Sequence, residues 1–149
     1  SPNLMLAYFQ RAVVRYKKLE YSRNEMAVSG DEAGHDASAT VSPLSQAAVR
    51  IEYQLILQDL DRAIELSPRF VYAYYNRANI HFVTDNVAQA IEDYNQAINL
   101  QPDFADAYFN RGLAHLRMGN DVQGREDLSR AGEMGIMAAY NLLKRMDKQ

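Results

Sequence analysis

A short motif that recurs at a fixed interval limits what this chain can fold into. Residues 73–78 (AYYNRA) return 34 residues later as residues 107–112 (AYFNRG), and matches continue downstream at the same offset. A third copy, residues 7–12 (AYFQRA), precedes the first by almost twice that interval. The first repeat therefore carries an insertion of about 32 residues. A fixed period of this length predicts stacked copies of one small structural unit.

Each unit has the pattern of two helices joined by a short turn. In the middle unit, apolar and small residues recur at steps of three and four over residues 74–82 and again over 90–100. Asp85 and Asn86 interrupt the pattern, and Pro102 ends it because proline cannot continue a helix. Residues 2–28 and 44–66 predict two longer helices, and Ser, Gly, Asp and Pro residues between them predict a loop.

This residue pattern resembles the tetratricopeptide repeat (TPR), a helix-turn-helix unit with the same period of about 34 residues and with preferred residue types at fixed positions, or slots. The middle unit fills the family's aromatic, small and proline slots with Tyr74, Ala78, Ala90, Tyr94, Ala97 and Pro102. In the next unit, Gly124 replaces an alanine and Ile136 replaces the proline. The resemblance implies an all-α fold: a right-handed superhelical stack of antiparallel helix pairs, a TPR-like α-solenoid, with a C-terminal capping helix.

The resemblance also implies how the chain is divided within a single domain over residues 1–149. The first repeat, with elongated helices and a loop at 29–43, occupies residues 1–70. The second repeat occupies 71–104, the third 105–136, and the capping helix 137–149. Because one repeat cannot bury its apolar face alone, neighbours must stack to form a continuous core. We therefore expect Tyr140, Leu142 and Leu143 to cover the end of that core.

Composition removes several classes of function. The absence of cysteine excludes disulfides and thiolate metal sites, and a net charge of −3 without a basic run argues against a nucleic-acid surface. No apolar run is long enough to span a membrane, so we expect a soluble module whose localisation the sequence leaves open. The sequence has no Gly-rich phosphate loop, nucleophile elbow or HExxH motif. We therefore predict no catalytic activity and no cofactor.

Charged residues that recur with the repeat are predicted to be structural. Each first helix carries an arginine and each second helix an aspartate, at Arg11, Arg77 and Arg111 and at Asp59, Asp93 and Asp127. Three identical pairs indicate three structural ion pairs, since catalysis would need one special pair. His81 and His115 share one slot, which Arg15 fills in the first repeat, so we expect packing there and not a metal site. His35 has acidic neighbours in a loop without fixed geometry, and no metal site is predicted there either.

The family resemblance implies a protein–protein interaction module, because TPR ligands lie in a concave groove lined by the first helix of each repeat. The residues that align with this groove are Phe9, Gln10, Val13, Lys17, Tyr75, Asn76, Asn79, Val83, Phe109, Asn110, Leu113 and Arg117. One branch of the family grips C-terminal carboxylates from slots that hold Phe9, Val13, Asn76, Asp106 and Asn110 here. Only Asn76 fits that clamp, so the groove favours an apolar peptide or helix of another protein. Packing between helices is the other interpretation of the three aromatic residues.

Two alternatives stay open at the level of sequence. The first is self-association into a homodimer through the long first hairpin, which carries Leu19, Tyr21, Met26, Ile51, Tyr53 and Leu55. The second is an accessory domain of a larger protein, because the chain starts at Ser1 without a methionine and looks like a fragment or a processed form.

Overall fold

A computed structural model describes residues 1–29 and 43–149, and in these ranges it contains seven α-helices and no strand. The predicted loop at 29–43 lies outside this part of the chain, apart from its two end residues, as do His35 and the side chain of Met26. The chain divides into an N-terminal unit, Ser1–Pro68, and a C-terminal unit, Arg69–Gln149. The predicted all-α, TPR-like solenoid fold is confirmed, whereas the repeat boundaries stay predictions.

The N-terminal unit is a hairpin of two long helices, α1 (Pro2–Ser29) and α2 (Pro43–Leu66). The helices run antiparallel, because Arg11 pairs with Asp59 whereas Arg23, further along α1, donates to the hydroxyl of Tyr53, which is earlier on α2. The buried apolar residues of this hairpin follow helical spacing and are Met5, Ala12, Leu19, Tyr53, Ile56, Leu60 and Ala63. Leu19 and Tyr53, which the sequence interpretation assigned to a surface for self-association, therefore lie inside the hairpin.

The C-terminal unit contains α3 (Val71–Val83), α4 (Val87–Leu100), α5 (Ala105–Arg117), α6 (Asp121–Glu133) and α7 (Met137–Met146). Each helix packs against the next along the chain, and α3 also contacts α5. Alanines with no exposed surface stand at the helix crossings, at positions 73, 78, 90, 97, 107, 114, 131 and 139. Small side chains there let the helix axes approach, and Tyr94, which is 1% exposed, fills the space beside them.

The helices are separated by turns that fall where the sequence pattern breaks. The backbone of Asp85, between α3 and α4, adopts a left-handed conformation with φ 66°, and Gly119, at the equivalent position between α5 and α6, adopts one with φ 79°. Glycine takes this conformation without strain, and aspartate is among the residues that tolerate it. The same turn therefore recurs in both repeats with a different residue at its left-handed position.

Helix α7 covers the last core cluster of the C-terminal unit. Leu142 and Leu143 pack against buried Leu128 and Ala131, as expected for a capping helix. Tyr140 does not contribute as predicted, because it is 47% exposed and Lys144 lies over its ring at 4.7 Å. In the described residues, no helix is both long enough and apolar enough to cross a membrane.

Candidate functional site

One ion pair recurs at the same place in each repeat. A guanidinium from the first helix donates two hydrogen bonds to a carboxylate on the second, in the pairs Arg11–Asp59, Arg77–Asp93 and Arg111–Asp127. The aspartates are only 4–6% exposed, so the arginines neutralise charges that have lost their water. Each arginine also lies over the ring of the tyrosine three residues earlier, at 5.3–5.8 Å. The predicted pairs are confirmed, and their repetition identifies them as part of the scaffold.

The third member of each cluster is the residue four positions after the arginine. His81 Nε2 lies 3.8 Å from the Asp93 carboxylate, and His115 Nε2 lies 4.0 Å from that of Asp127. Burial lowers the pKa of His115, and Arg111 lowers it further, although Asp127 opposes both. These histidines belong to the packed ion-pair clusters, and residues 1–29 and 43–149 contain no group of three candidate metal ligands.

Several predicted groove residues form a hydrogen-bond network between α3 and α5. The amide of Asn110 donates to the hydroxyl oxygen of Tyr75 and to Oδ1 of Asn79, both at 3.0 Å. The hydroxyl of Tyr94 donates to the same Asn79 oxygen at 2.6 Å. Both amide hydrogens of Asn110 are therefore used within the protein. Its side-chain oxygen makes no hydrogen bond with the described residues.

The aromatic groove residues are packed and exposed at the same time. The ring of Tyr75 lies 4.6 Å from that of Phe104 and 6.1 Å from that of Tyr94, and its burial raises the pKa of its hydroxyl. Phe109 and Leu113 contact the core cluster below α7 while remaining partly exposed. The contacts of Tyr75 and Phe109 therefore agree with the packing interpretation, whereas a role of their exposed surface in ligand binding stays a prediction.

The remaining groove candidates of the C-terminal unit differ in how they are held. Asn76 is half-buried, and its side chain makes no hydrogen bond with the described part of the chain. Val83 is 46% exposed. Arg117 forms an ion pair with Asp85 at 2.9 Å and stacks on the ring of Phe82 at 5.3 Å.

Four candidates belong to the N-terminal unit. Phe9, Val13 and Lys17 follow each other at four-residue steps, which places them on one stripe of α1. Gln10 and Lys17 are exposed, whereas Phe9 and Val13 are half-buried. Their membership in a groove stays a prediction from the resemblance.

Two residues at the first turns of α3 and α5 lie outside the predicted set of groove residues, although Asp106 was named among the slots of the carboxylate clamp. Tyr72 is 50% exposed, and its ring lies 5.8 Å from those of Phe70 and Phe104. Asp106, at the equivalent position of the next repeat, is exposed and forms no ion pair with any described residue. The signal that could have found them is their common repeat position, because residues one period apart stand at the same height on neighbouring first helices.

Comparison with known families agrees with this geometry. A family model described as a TPR repeat matches residues 86–119, and one described as a tetratricopeptide repeat matches residues 57–100. The repeats within residues 57–119 belong to the TPR family. The matched stretches of this TPR chain contain the ion pair of Arg77 with Asp93, and also Arg111. No curated protein sequence gave a significant match.

Solved TPR structures resemble the chain in fold. The first TPR domain of human RPAP3 aligns with a TM-score of 0.71 at 17% identity, over 99% of this chain and 93% of that one. The first TPR of Spaghetti, solved with the HSP90 peptide SRMEEVD, aligns with a TM-score of 0.63 at 20% identity, over 93% and 92% of the two chains. A MamA structure aligns with a TM-score of 0.55 at 29% identity over 60% of this chain. The alignment spans about half, 52%, of the MamA chain.

Proposed function

We propose that this TPR chain is a protein–protein interaction module that binds a peptide or helix of a partner protein along α3 and α5. One observation carries the proposal: equivalent positions on these two helices present partly exposed aromatic and amide side chains. The pairs at equivalent positions are Tyr75 with Phe109, Asn76 with Asn110, and Val83 with Arg117. Aromatic surface supplies binding energy, and amides bind a peptide backbone through either of its polar groups.

Rigidity of the groove supports the proposal. The hydrogen bonds of Asn110 to Tyr75 and Asn79 fix these side chains before any ligand arrives. A fixed surface loses less conformational entropy on binding than a mobile one. Asn76 has no such partner among the described residues, so both the donor and the acceptor of its amide are available to a ligand.

The TPR fold that this chain shares with Spaghetti supports peptide binding as a class of function, because that domain was solved with a bound peptide. The nature of the peptide is a separate matter. The slots that grip a carboxylate in one branch of the family hold Phe9, Val13 and the anionic Asp106 here. A carboxylate at Asp106 repels an acidic tail, so we propose a ligand other than an acidic C-terminus.

Phage display of random dodecapeptides on the full chain tests the proposal. Selected peptides should bind in solution, and Asn76→Arg should weaken them by about tenfold or more, since a tenfold change corresponds to about 1.4 kcal/mol. Gln89→Arg places the same charge on an exposed position of α4 and should leave the affinity unchanged. Failure to select any peptide, or equal binding by Asn76→Arg, contradicts this location of the site.

Self-association through the N-terminal unit is a second candidate, favoured by the exposure of Val14, Tyr21 and Ile51, which are 64%, 65% and 54% exposed. Val14 and Tyr21 are seven residues apart and so lie on one face of α1, and a contiguous exposed apolar patch is typical of a contact surface. Light scattering over a wide concentration range tests this candidate. The candidate is supported if the mass of the wild type rises with concentration while that of Tyr21→Lys stays monomeric. A constant monomer mass of the wild type contradicts it.

A further inference from the structure

We infer that the groove of α3 and α5 selects a peptide with a basic side chain, lysine or arginine, that contacts Asp106 and Tyr72. The inference rests on the proposed peptide-binding function and adds the chemistry of the ligand. It concerns the end of the groove at which α3 and α5 begin.

Three aromatic rings pack together at this end of the groove, and the first turn of α5 adds a carboxylate beside them. Phe104, which is 8% exposed, stands between Tyr75 at 4.6 Å and Tyr72 at 5.8 Å, measured between ring centroids. Asp106 follows Phe104 by two residues in the first turn of α5. Burial raises the pKa of the Tyr75 hydroxyl, and the negative charge of Asp106 raises it further. The carboxylate and the rings therefore border one surface.

The charge of Asp106 is not neutralised within the described residues. The guanidinium of Arg117, at the opposite end of α5, is paired with Asp85. Arg69, in the turn before α3, is not within ion-pair distance of Asp106. Asp103 is exposed in the turn before α5 and adds a second negative charge. This end of the groove is therefore anionic, and a cationic ligand group complements it.

The neighbouring groups fit the shape of a basic side chain. Lysine and arginine have an apolar stem and a charged head, so the stem packs on the rings while the head reaches the carboxylate. The half-exposed ring of Tyr72 also offers a face for a cation, and such contacts contribute about 0.5–1 kcal/mol at exposed sites. The amide oxygen of Asn76 supplies a further acceptor on the same helix as Tyr72.

Asp106 also stands at a helix N-terminus, where an acidic side chain is favoured by the helix dipole in the absence of any ligand. Asp121 likewise lies in the first turn of its helix, α6, and is also exposed, but α6 is the second helix of its repeat. Asp121→Asn therefore removes the same charge and the same dipole interaction as Asp106→Asn, and serves as its matched control.

The experiment compares random dodecapeptides selected by phage display on the wild-type chain and on three variants. We expect lysine and arginine to be enriched on the wild type and on Asp121→Asn, and the enrichment to be lost on Asp106→Asn. On Asp106→Lys, acidic residues should replace the basic ones. For one selected peptide, replacing its lysine by norleucine should weaken binding to the wild type by about tenfold and leave binding to Asp106→Asn unchanged. Circular dichroism verifies that each variant is folded.

The outcomes separate the inference from the function on which it rests. Peptides without basic enrichment, or enrichment that persists on Asp106→Asn, overturn the inference and leave peptide binding in place. Loss of the enrichment on Asp121→Asn as well overturns it too, because net charge and not the groove would then set the preference. If no variant and no wild-type chain selects any peptide, the proposed function fails, and the inference fails with it.

Discussion

The side-chain amide of Asn110 on α5 donates a hydrogen bond of 3.0 Å to the hydroxyl oxygen of Tyr75 on α3. The bond links the first helices of two successive repeats across the face that carries the proposed groove. Together with the bond from Asn110 to Asn79, it makes the polar surface of the groove part of the scaffold. The residues proposed to bind a ligand in this groove therefore also contribute to stability.

Replacing Tyr75 by phenylalanine tests this coupling. The change removes one acceptor of the half-buried Asn110 amide but keeps the ring, so the free energy of unfolding should fall by about 1 kcal/mol. Urea titration followed by circular dichroism measures this loss. Tyr72→Phe is the control, because the hydroxyl of the exposed Tyr72 forms no hydrogen bond with the described residues. Equal stability of the two variants would show that the linking bond contributes nothing.

The ion pair of the third repeat should be one of its most sensitive points. In Arg111→Met the carboxylate of Asp127, which is 6% exposed, loses the partner that donates two hydrogen bonds of 2.7 Å. Breaking a buried pair from one side costs about 3 kcal/mol, since the remaining charge stays without solvent. In urea titrations, Arg130→Met should change stability by less than about 0.5 kcal/mol, because Arg130 and its partner Glu133 are exposed. Similar losses in both variants would contradict this account.

The fold could be predicted from the sequence because the residues that determine it recur in each repeat. Ala78 and Gly112 lie 34 residues apart, and each follows a tyrosine by four residues. The arginine and the aspartate of the ion pairs recur at the same offset. A repeated pattern places the same side chain in the same environment, so a family resemblance carries both the fold and the pairing of Arg77 with Asp93. Helix bounds, small-residue crossings and structural ion pairs all follow from that periodicity.

The candidate site was less accessible, because its contacts do not repeat. The bond from Asn110 to Tyr75 joins different positions of successive repeats, and position 109 holds phenylalanine where Tyr75 stands one repeat earlier. The pattern of a single repeat therefore does not predict this hydrogen bond. Tyr140 was predicted to cover the end of the core, but its ring is 47% exposed and lies under Lys144 instead.

The close contact of α5 and α6 explains the glycine that replaces alanine at position 124. A Cβ on Gly124 would lie 2.7 Å from Cγ and Cδ2 of Leu116 and 3.1 Å from the carbonyl oxygen of Gly112. The backbone oxygen has little room to retreat, so Leu116 must change its position. In a crowded core such overpacking outweighs the gain in helix propensity.

We therefore expect Gly124→Ala to lower the free energy of unfolding by about 1 kcal/mol. Gly132→Ala, on the same helix, should raise it by about 0.5 kcal/mol, since a Cβ there would meet its nearest atom, the backbone nitrogen of Tyr140, at an ordinary 3.7 Å. Thermal unfolding of both variants measures the opposite signs. If Gly124→Ala instead raised the free energy of unfolding, the side chain of Leu116 would have to move aside without destabilising the core.

The buried imidazole of His115 should make the chain sensitive to mild acid. Its side chain is 17% exposed, and its Nδ1 is buried without a hydrogen bond to the described residues. Burial and the charge of Arg111 lower its pKa in the folded state, and the partial compensation by Asp127 does not reverse the shift. In the unfolded chain the same imidazole titrates near its ordinary pKa of about 6.5.

The sign of the pH effect follows from these two pKa values. Above about pH 6.5 the imidazole is neutral in both states, and His115 makes no pH-dependent contribution. As the pH falls below that value, the unfolded chain binds a proton more readily than the folded one, so stability is lost until the folded pKa is passed. His115→Phe places an uncharged ring in the slot, and urea midpoints measured from about pH 8 to about pH 5.5 should fall less steeply than in the wild type. Parallel pH profiles for the two chains would contradict a depressed pKa at His115.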